Sequence, residues 1–264
     1  MTGLRETEST ATDERVARLA AVLAAPVAAW LSGRGVTLVR HWVPTPADAV
    51  LNDEAARLLE HHEALLPLLR AIRWSASEAR PATLRLPASP SATMQVIAAG
   101  ENLSRLGLLS SFRVDRRRGV ARLRAGNVAD GFVTGGWLER GVFEVLRRRL
   151  LQQAQTGPIG LVRGAHVRLP DGGYAELDVV AIAGQSRLWV ECRTGRVQER
   201  LERYATLRRA LGLPPHAAVV VGLGLDDDLA TTLSALHQLE VITAAELPRR
   251  LEAALASHPG ALVR

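Results

Sequence analysis

The sequence predicts an α/β (α+β) chain: a mixed sheet flanked by helices in the C-terminal half, preceded by a mostly helical N-terminal region. Three observations carry this. Strand-patterned segments at 161–169, 174–182 and 187–192 follow one another closely, as antiparallel strands do. The helical pattern at 197–211 then separates them from the apolar run 217–221, which reads as a crossover into a buried strand. Before residue 110, Ala and Leu recur at helical spacing.

In chain order, residues 1–14 are polar, acidic and without apolar periodicity, and are expected to be a disordered tail. A helix over 15–31 and a strand over 36–43 follow, joined by a Gly33/Gly35 turn. Asn52 and Asp53 are caps for a helix to about Trp74, which Pro67 should kink or split. A short strand at 83–86, a helix at 91–109 and two strands, 112–114 and 120–123, make a helix followed by a basic hairpin. That is the pattern of a winged helix-turn-helix, here at about 82–125. The second half adds a helix at 137–153, the strands above, a helix from about Asp226, a strand at 239–242 and a last helix near Thr243.

A chain of 264 residues exceeds a typical domain of about 100–150 residues. The expected division is a tail 1–14, a helical and winged-helix-like region 15–130, and a sheet domain 131–264. With 47% hydrophobic and 23% charged residues, a sizeable core is available. The net charge of +6 favours a polyanionic partner such as nucleic acid, and every basic residue is Arg. Between Arg105 and Arg149 basic residues dominate. Arg116, Arg117 and Arg118 fall at the hairpin tip, and Arg147 and Arg148 on the following helix. All five are candidates for phosphate contact, the alternative being a solvated charge run.

The single cysteine, Cys192, excludes an intrachain disulfide and a Cys-based zinc site, and fits a reducing cytoplasm. The apolar stretch 19–31, interrupted by Pro26 and following an acidic start, reads as a core helix, so no membrane association is expected. Aromatic residues make up 4%, too few for a base-stacking platform, and Trp137 and Trp189 are expected to pack beneath an acidic face. Gly222-Leu223-Gly224 lacks a full phosphate-binding fingerprint and reads as a turn.

Strand alternation puts Glu176 and Asp178 on one face, Leu177 and Val179 on the other; Glu191 and Arg193 likewise oppose Val190 and Cys192. Acids crowded on one hairpin face repel unless a cation compensates, and magnesium takes such oxygen ligands. Glu139, on the preceding helix, could add a carboxylate. The pattern alone is equally compatible with solvated surface acids.

The blocks Gly135-Gly136-Trp137-Leu138-Glu139, Glu176-Leu177-Asp178-Val179-Val180, Glu191-Cys192-Arg193-Thr194-Gly195 and Leu207-Arg208-Arg209-Ala210-Leu211-Gly212 resemble, in this order, the restriction-endonuclease-like PD-(D/E)xK superfamily. Within it they look like the C-terminal nuclease module of CRISPR ancillary effectors, over residues 90–222. The resemblance implies a metal-dependent endonuclease acting on DNA or RNA with Mg2+ or Mn2+, a homodimer, and a role in antiviral defence. It makes Asp178, Glu191 and the main-chain carbonyl of Cys192 metal ligands, with Glu139 assisting. Arg193 stands where the family has lysine; with a pKa above about 12, arginine holds charge but is no base. The family's cyclic-oligoadenylate sensor needs more than the roughly ninety residues that precede the winged-helix segment here, so messenger control is not expected. Two other readings stay open: an inactive winged-helix nucleic-acid-binding protein on a nuclease scaffold, favoured by Arg193, and a DNA-repair nuclease.

Overall fold

A computed structural model describes residues 3–126, 131–152 and 157–256. The chain divides into two compact units. Residues 1–50 and 142–264 form one, residues 51–141 the other, with the boundaries inside helices α2 (Pro46–Glu60) and α5 (Trp137–Gln152). The expected boundary near 130 therefore moves, and the N-terminal fifty residues join the C-terminal unit. The reason is the packing of α1 (Gly3–Ser32), whose Ala24, Val27, Trp30 and Leu31 enter that unit's core, and of β1 (Thr37–Arg40), which pairs antiparallel with β5 (Ile159–Arg168).

Helix α1 begins at Gly3, not near Arg15, so the predicted tail is helical in backbone. It passes through Pro26 without a break. Its Glu14–Ser32 stretch is long and apolar enough by length and composition to cross a membrane, which corrects the expectation that the apolar run is too short. Four side chains of that stretch nonetheless lie in the core.

In the first unit the described strands form a six-stranded sheet of order β1-β5-β6-β7-β8-β9, with β6 Tyr174–Ala183, β7 Ser186–Arg193, β8 Ala218–Gly222 and β9 Glu240–Thr243. Pairing is antiparallel from β1 to β7 and parallel from β7 to β9. The crossover from β7 runs through α6 (Leu201–Ala210), and that from β8 through α7 (Asp227–His237), which Asp226 caps by accepting from Leu229 N–H at 2.7 Å. Both helices and α1 share one core cluster with the sheet. Helix α8 (Leu247–Ala256) closes the described chain. This is the predicted mixed sheet flanked by helices.

The second unit sets α3 (His62–Glu78) and α4 (Pro90–Arg105) against a three-stranded sheet of order β2-β4-β3, with β2 Ala82–Arg85, β3 Leu109–Asp115 and β4 Val120–Ala125. The helix break falls at His61, upstream of Pro67, because the proline ring clashes with the carbonyl one turn earlier. Gly100 on α4 meets the Phe112 ring so closely that a Cβ there would stand 2.3 Å from it.

Candidate active site

The site is built where regular alternation fails. On β5, Val162, Ala165 and Val167 face the helix-covered core; on β6, so do Ala175, Leu177, Val180 and Ile182. Each strand thus slips by one residue. Arg163 pairs with Val179 and Ala165 with Leu177, so the slips lie opposite each other at Gly164 and Asp178. Gly164 adopts φ 56°, a left-handed conformation open to glycine at little cost. The expected two-faced arrangement, with Leu177 and Val179 together, is therefore corrected: Asp178 sits at the slip, and its side chain reaches β7.

The register Val179–Val190 and Val180–Trp189 brings Asp178 opposite Glu191. The main-chain N–H of Cys192 donates to Asp178 Oδ2 at 2.7 Å, and that of Asp178 donates to Glu191 Oε1 at 3.2 Å. Each carboxylate is thus held by the other's strand. Glu191 is only 3% exposed. It shares its face with Trp189, whose indole N–H donates to Glu191 Oε1 at 3.0 Å, and with Tyr204 of α6, whose hydroxyl also hydrogen-bonds it. The Trp189 and Tyr204 rings meet edge to face, 5.9 Å between centroids. Trp189 therefore lies beside the acid rather than beneath an acidic surface, and the hairpin has no solvated acidic face at this position.

Burial, and then the neighbouring Asp178 charge, pushes Glu191 up to about 8. Burial pushes Asp178 up to about 6, against the opposing pull of the Cys192 N–H and the Arg193 charge. Tyr204 is likewise raised, by burial and by Glu191. Two buried acids facing one another keep their charge only if a cation compensates. The donors are hard oxygens, two carboxylates with the Cys192 main chain between them, and this set suits magnesium or manganese. Among the described residues no group of three or more His, Cys, Asp or Glu side chains converges, so main-chain oxygen, water or substrate would complete an ion's shell.

Arg193 lies with its guanidinium 5.4 Å from the Tyr204 ring centroid, and its buried Nε has no hydrogen-bond partner among the described residues. Arg200 adds a second positive charge that favours ionised Asp178. Glu176 is exposed, 3.7 Å from His166. Glu139 occupies the first turn of α5, in the unit of residues 51–141. Arg147 and Arg148 both grip Glu144, at 2.8 Å and 2.7 Å, and hold this buried acid below the usual range despite its burial. Arg116, Arg117 and Arg118 form the β3–β4 turn, where Arg118 pairs with Asp115 at 3.6 Å. Gly222-Leu223-Gly224 is a turn, its Leu223 N–H donating to the Arg193 carbonyl at 2.9 Å.

Sequence reasoning missed Tyr204, the Trp189 indole, Arg200 and Gly164. The signal for Tyr204 was present, since Leu201, Tyr204 and Leu207 mark one buried side of α6.

A mixed sheet bearing an acid pair on adjacent central strands, followed by a crossover helix, defines a restriction-endonuclease-like domain. Residues 127–255 match the family model described as Card1-like, endonuclease domain. Two solved structures share the fold. Can2 from Sulfobacillus thermosulfidooxidans, in complex with cyclic tetra-adenylate (cA4), aligns with TM-score 0.58 and 16% identity over 87% of this chain. Protein VC1899 from Vibrio cholerae aligns with TM-score 0.54 and 19% identity over 86%. The chain spans 60% of the length of each. The comparison with curated proteins found no match.

Proposed function

We propose that this chain is a metal-dependent endonuclease that hydrolyses phosphodiester bonds of DNA or RNA in a CRISPR-linked, antiviral setting. The observation that carries it is the cross-strand pair Asp178–Glu191, buried and held by reciprocal main-chain donors. The Card1-like match supports the endonuclease class, and the likeness to Can2 supports the fold. Asp178, Glu191 and the Cys192 carbonyl would hold Mg2+ or Mn2+, with Glu139 a further candidate. When bound, the ion would polarise the scissile phosphate and activate water. Trp189 and Tyr204 fix the Glu191 carboxylate, as outer hydrogen-bond partners of metal ligands do. Arg193 stays protonated at any working pH and so cannot take a proton from water; its free Nε can donate to a phosphate oxygen. The working form is taken to be a cytoplasmic homodimer, which sedimentation of the purified protein tests for its oligomeric part.

With Mn2+ or Mg2+, the wild type should cleave plasmid, single-stranded DNA or RNA, and Asp178→Ala should lose at least about 100-fold in rate while still binding. Indistinguishable products from the two proteins on every substrate would leave the alternative, an inactive nucleic-acid-binding protein on a nuclease scaffold. Arg193 is the observation that favours that alternative. Running the assay with and without cA4 asks whether this chain responds to the ligand seen in Can2.

A further inference from the structure

The β2-β4-β3 sheet has one face covered and one bare. Ala82, Leu84, Ala121, Leu123 and Phe112 turn toward α3 and α4. On the other side Thr83, Arg85, Arg113, Arg122 and Arg124 are exposed. The register sets Thr83, Arg122 and Arg113 side by side across the three strands, with Arg124 opposite Ser111 and Arg85 opposite Val120. Like charges directly opposite on neighbouring strands destabilise a sheet, yet Arg113 and Arg122 are so placed. Among the described residues, none of Arg85, Arg113, Arg122 and Arg124 is ion-paired on this face. Its one acid, Asp115, is occupied by Arg118, accepting its main-chain N–H at 3.1 Å and its guanidinium charge.

We propose that this bare face, rather than the hairpin tip alone, is the surface that binds the phosphate backbone of nucleic acid. The inference rests on the nucleic-acid reading above and deepens it by naming where the polyanion is held. Four arginines on a sheet are rigidly spaced, with about 6.8 Å between Arg122 and Arg124 along β4. Guanidinium groups match phosphate oxygens with paired donors. The other side chains here, Thr83, Ser111 and Val120, offer no ring on which a base can stack, so the contact is to backbone and independent of sequence. Arg116 and Arg117 extend the same charge into the turn.

The test is equilibrium binding of the full chain to a labelled DNA or RNA duplex in EDTA, titrated with salt, so that cleavage plays no part. Arg113→Gln/Arg122→Gln should weaken binding about tenfold or more and lower the slope of log affinity against log salt by about 1.4 to 1.8, at roughly 0.7 to 0.9 per lost contact. Arg249→Gln, which removes an exposed arginine paired with Glu246 on α8, should leave both unchanged. Thermal unfolding of the double variant should match or exceed wild type, because a like-charge pair is relieved. A double variant that is folded and keeps the wild-type slope, or a control that loses as much, would overturn the inference even if the protein cleaves. Loss of slope in the double variant without any cleavage under Mn2+ would sustain the face and sink the nuclease reading.

Discussion

At the scale of residues, Asp178 and Glu191 hold two acids where the interior resists charge, and this ties stability to pH. Both are raised above their ordinary values of 3.8 and 4.5, to about 6 and about 8. The folded state therefore keeps protons that the unfolded chain has released. Chelator-treated protein should be most stable near pH 4 and lose stability as pH rises through the window from about 4 to about 8. A divalent ion favours the ionised pair, so Mn2+ should restore the melting temperature at pH 8 and do little at pH 5, with protons released on binding. Equal stabilisation at both pH values would mean the ion binds elsewhere. Calorimetry with and without Mn2+ at the two pH values reads both effects.

At the scale of elements, the slip at Gly164 decides where Asp178 points. Gly164→Ala places a Cβ in the left-handed region, which costs about 1 kcal/mol or somewhat more. A loss of about 2 to 4 °C in Tm is expected for a unit of this size. The Mn2+ response should fall further than the Tm does, since the strand that aims Asp178 would straighten; an unchanged Mn2+ response in the folded variant would separate the slip from the site. Gly100→Ala should also destabilise, by about 1 to 3 kcal/mol, because Phe112 has nowhere to move. It should leave the Mn2+ response intact, lying in the other unit.

The elements show which parts of the molecule could be read from sequence. Strands β5 to β8 and helices α5 to α7 lie within a few residues of their expected bounds, because periodicity and turn residues are local signals. The Asp178–Glu191 juxtaposition was legible in outline, since a hairpin register follows from two strands and a turn. Its burial was not. Whether a strand acid meets water depends on what covers the sheet, and the covering ring of Tyr204 comes from a helix beyond the hairpin. The slip at Gly164 was hidden too, because a single glycine in a strand does not announce its φ.

At the scale of the whole molecule, the matched segment 127–255 is not a unit by itself. Cutting the chain to residues 127–264 removes β1, which would bare the β5 edge, and α1, which would open the core around Val162, Ala165 and Ile182. That fragment is expected to be insoluble or to unfold without a cooperative transition, whereas the full chain should melt sharply. A sharp melt of the fragment at the full-length temperature would show that the N-terminal residues are dispensable.

The same arrangement sets a timetable for synthesis. The strand that β1 pairs with begins at Ile159, more than a hundred residues after β1 ends. At about 5 to 20 residues per second, the ribosome leaves α1 and β1 waiting for roughly 5 to 25 s while residues 51–141 emerge and fold between them. During that interval Val27, Trp30 and Leu31 have no sheet to cover. The helix that later seals the core is, for those seconds, an apolar segment that a holding chaperone would recognise.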